Sequence, residues 1–136
     1  MDTVICVGGV DSDGNLWSGS SVGANSGRIW PLLLPRNSPD EKPEVVAPGH
    51  NVPVIMPDDK WGLSSGTSAA TVYVTGAVAL LFEEHPDLKD GGTDMLDNLK
   101  QWIADSSKMR DGQDSHDDHY GYGLLQIEDL IDASQA

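Results

Sequence analysis

The stretch from Ala69 to Phe82 constrains the fold of this chain more than any other. It contains no charged residue and no proline, and its apolar side chains fall on every face of a helix rather than on one stripe. Such a helix is stable only when other elements bury it on all sides. The run is too short for a membrane span, which needs about 20 apolar residues. The sequence therefore predicts a central core helix that ends before Pro86.

The turn that precedes this helix has residues suited to catalysis, and its sequence is Ser65-Gly66-Thr67-Ser68. The first N–H groups of a helix are unpaired and the helix dipole places partial positive charge there. An oxyanion formed beside the Ser68 hydroxyl would therefore meet hydrogen-bond donors and a favourable field. Gly66 has no side chain that could block a substrate backbone. The alternative is that Thr67 or Ser68 serves only as an N-cap, which is a common use of these residues.

Four segments in chain order resemble one family. Gly66-Thr67-Ser68, followed by an Ala-rich helix, is similar to the nucleophile-serine motif of the subtilisin-like serine proteases, the subtilases of peptidase family S8. Residues 42–49, Lys-Pro-Glu-Val-Val-Ala-Pro-Gly, resemble the strand and turn upstream of that serine. Residues 4–11 resemble a core strand of the fold, and residues 120–125, Tyr-Gly-Tyr-Gly-Leu-Leu, resemble its closing segment. The resemblance covers nearly the whole chain.

The resemblance implies a fold of the α/β class. It is the three-layer α/β/α arrangement of subtilisin with a mostly parallel sheet, and residues 1–136 are expected to form only the C-terminal portion of that peptidase domain. Within it we expect the nucleophile turn and buried helix at 65–85 and a surface helix at 93–106. A long surface insertion is expected at about 16–43, and it contains an apolar island at 29–34.

The further elements are predicted from local pattern. Apolar, β-branched runs predict strands at 3–10, 44–47 and 51–56, with a turn at 57–59. A short terminal helix is expected from Ile127 to Ala133. The helix beginning at Thr93 or Asp94 is amphipathic, with one apolar face made of Met95, Leu96, Leu99, Trp102 and Ile103.

The same resemblance implies a serine-type endopeptidase segment. Ser68 would be the nucleophile that forms an acyl-enzyme with a polypeptide substrate, and Gly66, Thr67 and Ser68 would provide backbone support for the oxyanion. The resemblance also favours a secreted or extracellular protein. Met1-Asp2 leads directly into the predicted first strand, so we expect no signal peptide in this sequence.

A serine nucleophile needs an imidazole to accept its proton and a carboxylate to orient that imidazole. In subtilases the order is Asp, His, Ser, and an upstream Asn completes the oxyanion hole, but none of these three motifs occurs in this sequence. His50 precedes Ser68 but lacks the family's His-Gly-Thr context, whereas His85, His116 and His119 follow the serine. We therefore expect this chain to be inactive alone, with its central helix partly exposed, until the upstream part of the catalytic domain or a partner chain completes it.

Three departures from the family motif bear on activity. Val72 stands where the family usually has proline, Tyr73 where it often has histidine, and Ala69 where methionine is frequent. Proline in the first helical turn fixes the backbone, so Val72 would let Ser68 relax. Small misplacements of a reacting group lower the reaction rate strongly.

The alternative function is a non-catalytic interaction module derived from a subtilase. It would be a pseudoenzyme or fragment that binds its partner through the 29–34 island.

Composition excludes some function classes. The 22 acidic and 8 basic residues give a net charge of −14, which argues against nucleic acid because phosphate binding requires clustered Lys and Arg. The single cysteine, Cys6, cannot form an internal disulfide, and its apolar strand indicates a small buried side chain.

Metal ligation is the third hypothesis. His116 and His119 lie three positions apart among four aspartates, and such residues can ligate zinc or calcium. A solvated acidic loop is the preferred interpretation, because this stretch contains glycine and no cysteine. Asp11 and Asp13 lie in a turn without the remaining EF-hand spacing. No metal site is therefore assigned, and calcium is expected only through the family resemblance.

Overall fold

The computed structural model describes residues 4–23 and 41–135. Its strands are β1 (Val7–Val10), β2 (Val45–Pro48), β3 (Val52–Met56) and β4 (Lys60–Ser64), and its helices are α1 (Thr67–Glu84), α2 (Gly92–Ser106) and α3 (Ile127–Ala133). Short 3₁₀ turns at Pro57–Asp59 and Pro86–Asp90 separate β3 from β4 and α1 from α2. The apolar island at 29–34 and most of the predicted insertion lie outside the described residues.

The sheet that carries the core is parallel, as predicted. β1 and β2 run parallel with Val7 opposite Val45, and Leu124 continues the sheet beyond β2 through a parallel bridge to Val46. The N–H of Leu125 donates to the Val46 carbonyl at 2.9 Å. Residues 45–47 are buried, which explains their unbroken apolar sequence, since a parallel strand is covered on both faces. The predicted α/β class is therefore confirmed.

Three helices pack against β2 to form one core. Val45 and Ala47 contact a cluster to which all three helices contribute, namely Ala70, Val74, Ala77 and Leu81 of α1, Met95, Leu99 and Ile103 of α2, and Leu130 of α3. The amphipathic face predicted for α2 is confirmed, although the helix begins at Gly92 rather than at Thr93 or Asp94. The bounds predicted for the terminal helix agree with those of α3.

The expectation that α1 is buried on all sides is wrong for this chain. One face packs into the core, but Val72 is 69% exposed and Leu80 is 47% exposed on the other face. The physical reason is that the described residues place strands and helices against only one side of α1. The accompanying expectation, that this helix is partly exposed in the chain alone, is confirmed.

A hairpin of which the sequence pattern predicts only the first strand leads into the turn at residues 65–68. β3 was expected, but β4 was not, and the two strands pair antiparallel with Val52 opposite Ser64. The chain reverses at Asp58 and Asp59, which adopt left-handed φ values of 63° and 56°. Aspartate tolerates this conformation better than most residues, but Asp-Asp lacks the glycine that marks most tight hairpins.

A buried carboxylate ties the start of β1 to β2. Glu44 accepts a hydrogen bond from the Cys6 N–H at 2.6 Å and pairs with Lys42 and, at 3.3 Å, with Lys100 of α2. A buried charge is tolerated when it is paired and hydrogen-bonded in this way. Strand pairing of β1 begins at Val7, and residue 3, the predicted start of this strand, lies outside the described residues.

Leu81→Ala should destabilise the chain by about 2–5 kcal/mol, because it opens a cavity in the core. Leu81 is 0% exposed at the centre of the α1 packing face. Urea unfolding followed by circular dichroism measures the change in the free energy of unfolding. Leu80→Ala, on the exposed face of the same helix, is the matched control and should cost less than about 1 kcal/mol. Equal costs at the two positions would contradict the packing described for α1.

Candidate active site at the start of helix α1

Ser68 lies in the first turn of α1, and its side chain is exposed. The N-cap is Gly66, which provides no side-chain cap, so the interpretation of Thr67 or Ser68 as an N-cap is wrong. Helical bonding begins with the Ala69 N–H, which donates to the Gly66 carbonyl at 3.0 Å. In residues 4–23 and 41–135, neither the Ser68 hydroxyl nor the N–H groups of Thr67 and Ser68 have a hydrogen-bond partner. These groups are therefore available to a ligand.

Close backbone packing fixes the turn against the carboxyl ends of β1 and β2. The Gly66 N–H donates to the Gly49 carbonyl at 2.7 Å, and the Gly49 N–H donates to the Val10 carbonyl at 2.9 Å. A Cβ at Gly49 would lie 2.8 Å from the Cα of Gly9 and 3.2 Å from the Gly66 oxygen. Only glycine fits there, so the sheet holds the peptide that precedes Ser68 by direct backbone contact.

His50 contacts Ser65 rather than Ser68. Its Nδ1 is 3.1 Å from the Ser65 Oγ, and its Nε2 is 3.2 Å from the Asn51 side-chain nitrogen. The ring stacks on Trp17 with 5.9 Å between centroids and 16° between planes. Sequence analysis missed this arrangement, because its members are brought together by the packing of β1, β2 and β4 and no local pattern marks them.

The loop with His116 and His119 is held by hydrogen bonds within the loop and by one contact to Pro43. The His116 Nε2 lies 2.9 Å from the Pro43 carbonyl oxygen, whereas His119 is largely exposed. Partial burial raises the pKa of Asp117, but the backbone N–H groups of His119 and Tyr120 that donate to its carboxylate bring the pKa below its ordinary value. Among the described residues, no three potential metal-ligating side chains lie close enough together to hold an ion.

The turn with Asp11 and Asp13 also has a structural explanation. The Asp11 Oδ1 accepts hydrogen bonds from the N–H groups of Asp13 and Asn15, both at 2.9 Å. The bond from Asn15 is the main cause that lowers the pKa of Asp11. Aspartate commonly stabilises a turn in this way.

Two of the three departures from the family motif, Val72 and Tyr73, lie on the exposed face of α1. Together with Gly76, Ala77, Leu80 and Ile127 they line an open apolar cleft of about 410 Å³. The helix is continuous through Val72, and Thr71 on the same turn donates its hydroxyl to the Thr67 carbonyl at 2.9 Å. The backbone at Ser68 is thus helical without the proline.

No helix in the described part of the chain is long and apolar enough to cross a membrane.

Comparison with known proteins agrees with this architecture. The model of the subtilase family, peptidase S8, matches residues 1–123. Subtilisin DY from Bacillus licheniformis is 34% identical over 128 residues, which are 93% of this chain and 36% of that protein. A cell wall-associated protease from Bacillus subtilis is 32% identical over 109 residues, which cover 67% of this chain and 12% of that protein.

Solved structures give the same result. The CspB protease of Clostridium perfringens superposes with a TM-score of 0.72 at 26% identity, covering 96% of this chain and 26% of that one. The prenylagaramide maturation protease PagA superposes with a TM-score of 0.66 at 26% identity, covering 98% of this chain and 43% of that one. The chain thus spans about a third of subtilisin DY and less than half of either solved protease. It belongs to the subtilase family of serine proteases.

Proposed function

We propose that this chain is the nucleophile-bearing part of a subtilisin-like serine endopeptidase. The observation that carries the proposal is the exposed Ser68 hydroxyl at the start of α1, which, like the N–H groups of Thr67 and Ser68 beside it, has no hydrogen-bond partner among the described residues. The Ser68 Oγ attacks a peptide carbonyl of a polypeptide substrate, and an amine leaves with a proton to give an acyl-enzyme that water hydrolyses. Gly66 leaves the approach to this hydroxyl open.

The general base and its carboxylate come from the upstream part of the catalytic domain in this proposal. Both ring nitrogens of His50 are engaged with Ser65 and Asn51, so His50 does not serve Ser68. The chain covers only 36% of subtilisin DY, which leaves room in a protease of that length for the two further groups. An extracellular location is proposed with it, since one relative is a cell wall-associated protease.

A non-catalytic interaction module is the second candidate. The exposed Val72, Tyr73 and Leu80 favour it, because an apolar helix face beside the motif can bind a partner whether or not Ser68 reacts. Both candidates predict that this face is covered in the natural assembly. They differ in whether Ser68 becomes reactive there.

Fluorophosphonate labelling separates the two candidates. The probe is applied to this chain alone and to the full protease, by which we mean the polypeptide that also contains the upstream part of the catalytic domain. Ser68→Ala is the blank. Labelling of the full protease that Ser68→Ala abolishes supports the enzyme. If the folded full protease is not labelled, the endopeptidase proposal fails and the interaction module is favoured.

Gly76→Ala should have opposite effects on the chain alone and on its association with the upstream part. Gly76 is exposed within α1, and a Cβ there meets no atom within 4 Å, so alanine should stabilise the chain alone by about 0.5–1 kcal/mol. When the upstream part covers this face, the added methyl group obstructs the contact. Thermal unfolding of the chain and titration with the separately expressed upstream part measure the two effects.

The control for this prediction is Glu84→Ala at the exposed end of α1. It should leave the affinity for the upstream part unchanged. If Gly76→Ala also binds with unaltered affinity, the upstream part does not contact this face of α1.

A further inference from the structure

We propose that His50 and Ser65 form a positioning pair that holds the nucleophile turn in its reactive geometry. This proposal rests on the proposed role of Ser68 and assigns a function to two residues outside the expected triad. The pair joins the turn after β2 to the end of β4. Ser65 immediately precedes Gly66 and lies three residues before Ser68. A constraint at Ser65 is therefore transmitted to the nucleophile through two peptide units of extended chain and the first turn of α1.

The contacts of the His50 ring indicate the direction of proton donation in the pair. The Asn51 side-chain nitrogen lies 3.2 Å from the His50 Nε2, and because an amide nitrogen only donates, we infer that Nε2 carries the lone pair and that the ring proton lies on Nδ1. The Nδ1–H then donates to the Ser65 Oγ at 3.1 Å. The Asn51 backbone N–H donates to the same oxygen at 2.9 Å, so both lone pairs of the Ser65 Oγ are occupied.

This arrangement is the reverse of a catalytic serine–histidine dyad. A general base must accept the serine proton, whereas His50 donates its own proton to Ser65. Ser65 is consequently not an activated nucleophile, although it is exposed and lies beside an imidazole. The pair instead acts as a link between two loops, in which the histidine is the donor and the serine is the acceptor.

The surroundings of the pair favour a positioning role. Stacking on Trp17 restricts the plane of the His50 ring, and the 2.7 Å bond from the Gly66 N–H to the Gly49 carbonyl links the residues next to the pair. Asn51 is held at a φ of 52°, a conformation that few non-glycine residues adopt. Loss of the pair removes a side-chain connection between the two loops and leaves the backbone bond from Gly66 to Gly49 and the strand pairing of Val52 with Ser64, so the turn that carries Ser68 is held less tightly.

The test compares variants of the full protease that separate the hydrogen bond from ring packing. His50→Phe keeps an aromatic ring on Trp17 but lacks the donor, and Ser65→Ala removes the acceptor. Each should lower kcat and the rate of Ser68 phosphonylation by roughly 10- to 100-fold with KM within about twofold, because displacement of a reacting group affects the chemical step most. His50→Asn carries an N–H close to the Nδ1 position and should recover most of the rate.

Two kinetic results would overturn the proposal. One is unchanged kcat in both His50→Phe and Ser65→Ala. The other is a His50→Asn enzyme as slow as His50→Phe, which would mean that ring packing alone matters. The double variant Ser65→Ala, His50→Phe should be no slower than Ser65→Ala alone, since Ser65→Ala already removes the bond that His50→Phe removes.

A spectroscopic measurement tests the hydrogen bond between His50 and Ser65 independently of the reactivity of Ser68. In the full protease labelled with ¹⁵N-histidine, the neutral His50 ring should show the Nδ1–H tautomer, with His50→Phe identifying the signals. Ser65→Ala should shift the ring toward the Nε2–H tautomer. Observation of the Nε2–H tautomer in the unmodified protein overturns the pair even when Ser68 is labelled. If Ser68 is not labelled although the His50 ring shows the Nδ1–H tautomer, the result counts against the endopeptidase proposal and not against the pair.

Discussion

Ser68→Ala in the full protease should lower kcat/KM for a peptide substrate by roughly 10,000-fold or more, the size of effect that follows loss of a triad member. The expectation follows from the site, because the exposed Ser68 hydroxyl lies beside N–H groups at the start of α1 that no other described residue pairs with. Alanine occupies less space and should leave the free energy of unfolding within about 0.5 kcal/mol. Release of a fluorogenic leaving group from a peptide measures the loss of activity.

Ser64→Ala is the matched control for this prediction, because it removes a neighbouring hydroxyl at the end of β4 that makes no hydrogen bond within residues 4–23 and 41–135. It should retain at least about half of the activity. A Ser68→Ala enzyme with more than a tenth of the original kcat/KM would rule out Ser68 as the nucleophile.

Gly49→Ala should damage both the fold and the site. The added Cβ would meet the Cα of Gly9 at 2.8 Å and the Gly66 oxygen at 3.2 Å, and both are backbone atoms that cannot rotate away. Overpacking of this kind costs about 1–3 kcal/mol, and relief of the contact must move the turn that carries Ser68. We therefore expect a lower unfolding midpoint in urea together with a fall of at least about tenfold in the rate of Ser68 labelling.

Gly76→Ala is the control for the general effect of replacing glycine by alanine, since a Cβ at Gly76 would meet no atom of the described residues within 4 Å. In the chain alone it should raise the unfolding midpoint that Gly49→Ala lowers. If both variants unfold at the same urea concentration, the close packing of Gly9, Gly49 and Gly66 does not constrain the turn.

The elements predictable from sequence are those fixed by local pattern. The uncharged run after Ser68 predicts α1, and the spacing of Met95, Leu99 and Ile103 predicts the buried face of α2 because helical periodicity alone determines it. The same pattern cannot show what covers each face. The exposed Val72 and Leu80 are explained by which elements surround α1, and that is a property of the whole domain.

The parts that sequence reasoning missed depend on contacts between distant residues. The carboxylate of Glu44 is buried against Lys42 and Lys100, yet nothing in a Lys-Pro-Glu sequence indicates burial of its charges. The contact of His50 with Ser65 spans 15 positions and arises only after β3 and β4 pair. Local pattern also gave no sign of β4, because the turn before it uses two aspartates in place of glycine.

Within the candidate site, the sequence motif located Ser68 correctly at a helix start but left open whether it only capped that helix. The structure removes the capping alternative, since Gly66 is the N-cap. It also shows which histidine in the described part of the chain meets a serine, and that serine is Ser65. The assignment of the nucleophile therefore depends on distinguishing two serines that lie three positions apart.

The most direct test of this account is the position of the covalent adduct in the full protease. After reaction with a fluorophosphonate, proteolytic cleavage after Lys60 and Lys89 yields a peptide that contains Ser64, Ser65 and Ser68. Tandem mass spectrometry of this peptide identifies the modified residue. The account predicts a single phosphonyl group on Ser68. An adduct on Ser65, or no adduct in a correctly folded protein, would contradict it.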